Sequence, residues 1–206
     1  MARLSRFVTV VVLLGGATVS LSACTGGSDP IASPSPSVST VVTPSPSPSA
    51  SPSPTALTDE ELLALIPEEA RAENFGSASN FAKFFIDQYP TLFHTGHDGE
   101  LFQYLSADDC VFCANAITDS VATGAAGAYN EGGTFTWPDQ PPRGGLESDG
   151  YWYVTQGFEV SDTITYLEDG SQYKTERGGA GEVGLKMAFD EGGWRVHGVE
   201  FVYDDE

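Results

Sequence analysis

The chain has 206 residues and carries 29 Asp and Glu against 9 Lys and Arg, a formal charge of −20. A surface this acidic repels nucleic acid, anionic lipid and polyanionic wall polymers. Once a leader and a low-complexity stretch are set aside, about 150 residues remain, which is one domain with a real core and too few for a two-lobed solute-binding protein.

Arg3 and Arg6 precede an apolar run from Phe7 to Ala17, the pattern of an export leader that is too short to span a bilayer comfortably. The run closes on Leu21-Ser22-Ala23-Cys24. Leu at −3, small residues at −2 and −1 and Cys at +1 form a lipobox, so residues 1–23 read as a signal peptide and Cys24 as the lipidated N-terminus. Loss of Arg3 and Arg6 with the leader takes the formal charge from −20 to about −22.

Residues 24–55 form a Pro/Ser-rich spacer, with Pro and Ser alternating through Pro30–Pro54. Such a composition buries no apolar surface and favours extended polyproline backbone. At about 3.1 Å per residue it reaches roughly 90 Å and lifts the domain off the membrane.

Structure is expected to resume at residue 56 and run to 206 as a single α+β extracytoplasmic domain. Thr58 and Glu61 make a capping box for a short helix that Pro67 interrupts. A longer helix is expected from Ser77. Phe81, Phe84, Phe85, Tyr89, Leu92 and Phe93 fall on one stripe, with a kink at Pro90 and an end at Gly96. An aromatic stripe at helical spacing reads as core. Asp98 is placed to cap a turn carrying Leu101, Phe102 and Leu105. Ser106 and Asp109 are placed to cap a third helix with Cys110, Cys113, Ile117 and Val121 on one face. Residues 124–133 read as a loop of small residues.

The period then changes to two. Thr134–Trp137 reads as a short strand, followed by a Pro/Gly loop to Gly150. One long strand is expected next, with Trp152, Val154, Phe158, Val160, Ile164 and Tyr166 on one face, broken only by Gln156 and Asp162. Asp169-Gly170 and Asp190–Gly193 read as hairpin turns, and Gly198 as a bulge in the last strand. Helices followed by an antiparallel sheet with one apolar face give helices packed on a curved sheet.

Helices followed by a curved sheet ending in Gly192-Gly193-Trp194-Arg195-Val196 resemble the nuclear-transport-factor-2-like cone. More narrowly, the chain resembles a family of actinobacterial lipoproteins known only as a domain of unknown function. The likeness rests on the lipobox, the spacer, Ile66-Pro67-Glu68-Glu69-Ala70, Phe81–Phe85, Thr95-Gly96, and Leu105-Ser106 through Cys110-x-x-Cys113. It runs from about Leu62 to Tyr203 and departs at His97-Asp98, where Asp directly after Gly is expected. The resemblance implies a cone and brings no activity, so no catalytic residue is carried over.

Cys110-Val111-Phe112-Cys113 has dithiol-enzyme spacing, but Asp108 and Asp109 oppose a thiolate. In an exported protein a structural Cys110–Cys113 disulfide is the favoured reading. His94, His97, Asp98 and His197 match no standard zinc spacing, and the acidic turns lack the D-x-D-x-D-G pattern of calcium loops. No metal and no cofactor is expected, and serine-nucleophile and phosphate-loop motifs are absent.

The remaining candidate is a cone lined by Trp152, Phe158, Tyr166 and Trp194. Asp162 interrupts its apolar face, and Glu159 is assigned to the polar one. If the cone is open, Asp162 is a buried acid/base candidate for a small-molecule binder or enzyme. If it is filled, the chain is a non-enzymatic module. The second reading is preferred: a lipoprotein anchored by a diacylglyceryl group on Cys24 at the outer face of a Gram-positive membrane. Its partner would be a protein or an envelope component.

Overall fold

The computed structural model describes residues 56–95 and 99–204. The leader, Cys24, the spacer, Gly96, His97 and Asp98 lie outside the described residues.

Helix α1 (Asp59–Ala64) opens as the sequence predicts. Thr58 Oγ1 accepts the Glu61 amide at 3.3 Å while Glu61 Oε2 accepts the Thr58 amide at 2.8 Å. Its far end is closed by Arg71, which donates from Nε to the Ile66 carbonyl (2.7 Å) and from Nη2 to that of Ala64 (3.0 Å).

Helix α2 (Phe75–Thr91) starts two residues before Ser77, because Asn74 is its cap: Asn74 Oδ1 accepts the Ser77 amide at 3.0 Å. Pro90 falls in the last turn, so it closes the helix instead of kinking a longer one. Beyond it Leu92, Phe93 and His94 bond back to Tyr89, Pro90 and Thr91, the tighter i→i+3 pattern. Helix α3 (Glu100–Leu105) begins from Gly99, whose φ of 70° suits a residue without Cβ.

Helix α4 (Val111–Ala125) corrects the expected cap. Cys110 is the N-cap, its sulfur accepting the Cys113 amide at 3.3 Å, while Ser106 donates its hydroxyl to the Phe102 carbonyl at 2.7 Å and ends α3. Asp109 turns instead to His197. Cys113 and Ala116 are buried on the inner face of α4, but Val121 is 66% exposed. Two steps of four residues rotate the stripe by about 80° from Cys113, so Val121 leaves the contact.

Among the described residues eight strands form two antiparallel sheets. β2 (Phe135–Thr136) and β3 (Arg143–Leu146) pair along one edge of β4 (Trp152–Val160). β7 (Gly179–Asp190) and β8 (Gly193–Tyr203) follow on the other side. A smaller sheet has the order β1 (Tyr129–Gly132), β5 (Thr163–Tyr166), β6 (Gln172–Glu176). β1 and β3 lie where loops were expected; pairing with β5 and β4 overrides their weak strand propensity.

The expected single long strand breaks at Ser161-Asp162, where the chain leaves one sheet for the other. Gly133 donates to the Asp162 carbonyl at 3.0 Å, Thr134 to Ser161 Oγ at 3.0 Å, and Gly178 to Asp162 Oδ1 at 2.8 Å. The expected bulge is present beside Gly198: Lys186 pairs Gly198 and Met187 pairs Val196, leaving His197 as the extra residue.

The core lies between α2 and the larger sheet. Phe81 stacks on Trp194 (6.0 Å) and Phe85 on Phe102 (4.6 Å), over Val154, Val183, Met187 and Val196. Each fully buried side chain of this size contributes about 1.5–3 kcal/mol relative to leaving it exposed. The disulfide joins Cys110 and Cys113 at a Cα separation of 5.3 Å, both cysteines 1% exposed.

Candidate functional site: a polar cavity at the rim

The residues expected to line an open cone do not converge. Trp194 is fully buried, its ring 5.7 Å from Trp152 and 4.9 Å from Phe189. Phe158 is enclosed by Phe135, Phe201 and Tyr203 at 5.4–5.5 Å. Tyr166 belongs to the smaller sheet and stacks on Tyr129 at 5.3 Å. Asp162 is exposed and spends Oδ1 on the Gly178 amide, so it is a turn-former and not a carboxylate buried among aromatics. Glu159 is exposed, as its place on the polar face predicts. The period of two misleads here because it runs straight through the point where the chain changes sheets.

A cavity of about 510 Å³ opens where the two sheets, the end of α2 and the end of β8 meet. Tyr89 and Phe93 form one wall, β1 and β5 supply Asn130, Thr163 and Thr165, β6 brings Lys174 and Glu176, and Tyr203 closes the far side. The close approach of β1 to the crossing requires glycine: Gly132 has φ 81°, and a Cβ there would sit 2.1 Å from the Asp162 carbonyl oxygen.

Charges in the cavity are balanced. Lys174 Nζ lies 2.7 Å from Glu176 Oε1, and Asp119 and Arg177 also line the space. Burial pushes the Tyr89 phenol above its ordinary range, and Tyr203, Asp119 and Glu176 nearby add to this. Burial and Glu176 raise Tyr203 likewise. Both phenols therefore stay protonated and can donate. Asn130 Oδ1 is shielded from solvent without a hydrogen-bond partner, an unusual state for a polar atom beside a cavity.

Other charged groups are committed to the fold. His197 Nδ1 lies 2.6 Å from Asp109 Oδ1, with the imidazole edge-on to Tyr151 at 4.9 Å. Asp149, Asp169 and Asp190 each accept a backbone amide two residues on, at 3.2, 2.8 and 2.8 Å, and so shape hairpins. Asp87, which carries no signal in the sequence, receives Trp137 Nε1 at 3.2 Å. One side of this carboxylate meets solvent, yet the atoms packed around it raise its pKa. Among the described residues no three His, Cys, Asp or Glu side chains are grouped to hold a metal.

Residues 65–200, more than half of the chain, match the profile of a family of unknown function, DUF6318. The chain belongs to this family. Among curated proteins no match is found. Solved structures with related shape include the intermembrane-space region of the chloroplast protein ARC6, at 11% identity and a TM-score of 0.46, covering 61% of this chain and 97% of that one. Aln2 from a Streptomyces species is similar at 12% identity and a TM-score of 0.38, covering 62% and 88%. A periplasmic fragment of TraM is similar at 14% identity and 0.38, covering 61% and 97%. All three superpose too loosely to assign a function.

The cavity residues leave little trace in the sequence. A usable signal is the placement of Lys174 and Arg177, two of nine cations in a strongly acidic chain, beside Glu176. Thr163 and Thr165 share a strand face, but nothing local says that β1 and β6 flank it.

Proposed function

We propose that this DUF6318 member is a non-enzymatic lipoprotein of the outer face of a Gram-positive membrane, held by a diacylglyceryl group on Cys24. Its domain, a nuclear-transport-factor-2-like cone, binds an envelope component at the rim. The lipobox and the Pro/Ser spacer support the anchoring half of this reading. Support for the binding half comes from one observation: the interior is filled by Trp194, Phe81 and Phe158, while hydrogen-bonding groups converge on an open cavity beside it. Of the two partner classes, a cavity-sized component is favoured over a protein, since the polar groups face a concave space and not a flat apolar patch. With Asp162 at the surface, the alternative of an enzyme built on that carboxylate loses its acid/base group.

Equilibrium dialysis against the small-molecule fraction of a Gram-positive envelope tests this, with the retained compounds identified by mass spectrometry. The full chain should retain a compound and return it chemically unchanged, and Thr165→Trp, which fills the cavity, should retain none. Retention of the same compound by both proteins, or recovery of a converted product, contradicts the reading.

A further inference from the structure

We infer that the rim cavity binds an uncharged saccharide, a proposal that rests on the reading of this cavity as the ligand site. The first reason is electrostatic. An anionic ligand finds no net positive charge in the lining, since Lys174 Nζ lies 2.7 Å from Glu176 Oε1 and Arg177 is matched by Asp119 in number. A cationic ligand likewise finds no net negative charge here, because Lys174 and Arg177 share the lining with Glu176 and Asp119. A neutral ligand needs neither.

The second reason is hydrogen bonding. Asn130 lines the cavity, and its Oδ1, closed off from solvent, has no donor in the protein, so a ligand meets this oxygen when the side chain turns toward the cavity. Such an unmet buried group is costly until something fills it. An amide can present oxygen or nitrogen at one end, and a hydroxyl answers either, because it both donates and accepts. Thr163, Thr165 and the two protonated phenols, Tyr89 and Tyr203, are groups of the same dual character. A ligand carrying many hydroxyls on a compact ring matches this lining, whereas a single charged headgroup does not.

The third reason is shape. About 510 Å³ lies within the range of small-ligand sites, about 300–1,000 Å³. The Tyr89, Phe93 and Tyr203 rings contribute apolar wall against which the C–H face of a sugar packs.

The test is isothermal titration calorimetry on the full chain, carrying Cys24→Ser to keep it free of lipid. The probes are N,N′-diacetylchitobiose, cellobiose, inorganic phosphate and spermidine. Saturable binding of at least one disaccharide is expected, weakened about tenfold or more by Asn130→Ala, with neither charged probe competing. Thr165→Val, which keeps the β-branched shape and removes a hydroxyl, should weaken it too and serves if Asn130→Ala fails to fold. Absence of disaccharide binding overturns the proposal, as does binding of equal strength in wild type and both variants. If phosphate or spermidine binds instead, and Asn130→Ala abolishes it, the saccharide assignment is wrong while the cavity remains the ligand site. If no probe binds and the dialysis also retains nothing, both readings fall.

Discussion

Asp162 Oδ1 accepts the Gly178 amide at 2.8 Å, across 16 residues of sequence, and this bond fixes the place where the chain passes from the larger sheet to the smaller. Together with the Gly133 bond to the Asp162 carbonyl, it ties down the crossing next to which β5 and β6 line the rim cavity. Asp162→Ala should destabilise the fold by about 1 kcal/mol in urea unfolding, the worth of one such bond, while Asp162→Asn, which keeps an acceptor, should stay within about 0.5 kcal/mol of wild type. Equal losses in the two variants would mean that the charge and not the bond matters.

Gln156 sits on the buried face of β4 between Val154 and Phe158, opposite Val183, and neither end of its amide has a partner. An unpaired buried amide costs about 1–3 kcal/mol. Gln156→Met, close in volume and without the amide, should therefore raise stability by an amount in that range, read from the urea midpoint at unchanged slope. A loss of stability would show that the amide holds an ordered water or a ligand group.

Much of the fold is legible in the sequence. The Thr58–Glu61 box, the Phe81–Phe85 stripe, the hairpins at Asp169 and Asp190 and the bulge beside Gly198 are local signals, each set within a few residues. What is not legible is non-local. Tyr129–Gly132 has little strand propensity and becomes β1 only because β5 is there to pair with it. The break at Ser161-Asp162 depends on amides from Gly133, Thr134 and Gly178, far away in sequence. The cavity is made by that break, so its residues are hidden for the same reason.

The disulfide pairing follows from spacing, and its burial gives it a passive role. With Cys110 and Cys113 both 1% exposed, native protein should show no reactive thiol before unfolding. The closed loop is tiny, so the crosslink should contribute no more than about 2 kcal/mol. Thiol counting with and without denaturant, and reduced against oxidised melting, check this. Efficient turnover in an insulin-reduction assay would contradict it.

Anchoring rests on Cys24, which lies outside the described residues. Cys24→Ser should move the protein from the membrane fraction to the medium. A chain beginning at Ala56 should melt at the temperature of one beginning at Thr25, because Pro/Ser-rich residues add nothing to a core. A variant that stays membrane-bound, or a drop of more than about 4 °C on shortening, roughly the shift 1 kcal/mol produces in a domain of this size, would overturn these two expectations.

The closed interior and the open rim are separated most directly by amide chemical-shift mapping on the full chain as the envelope fraction is added. The account predicts saturable shifts at Asn130, Thr163, Thr165, Gly178 and Tyr203, with Val154, Phe158 and Trp194 unmoved. Largest shifts at Phe158 and Trp194, or no shift from any fraction, would contradict it.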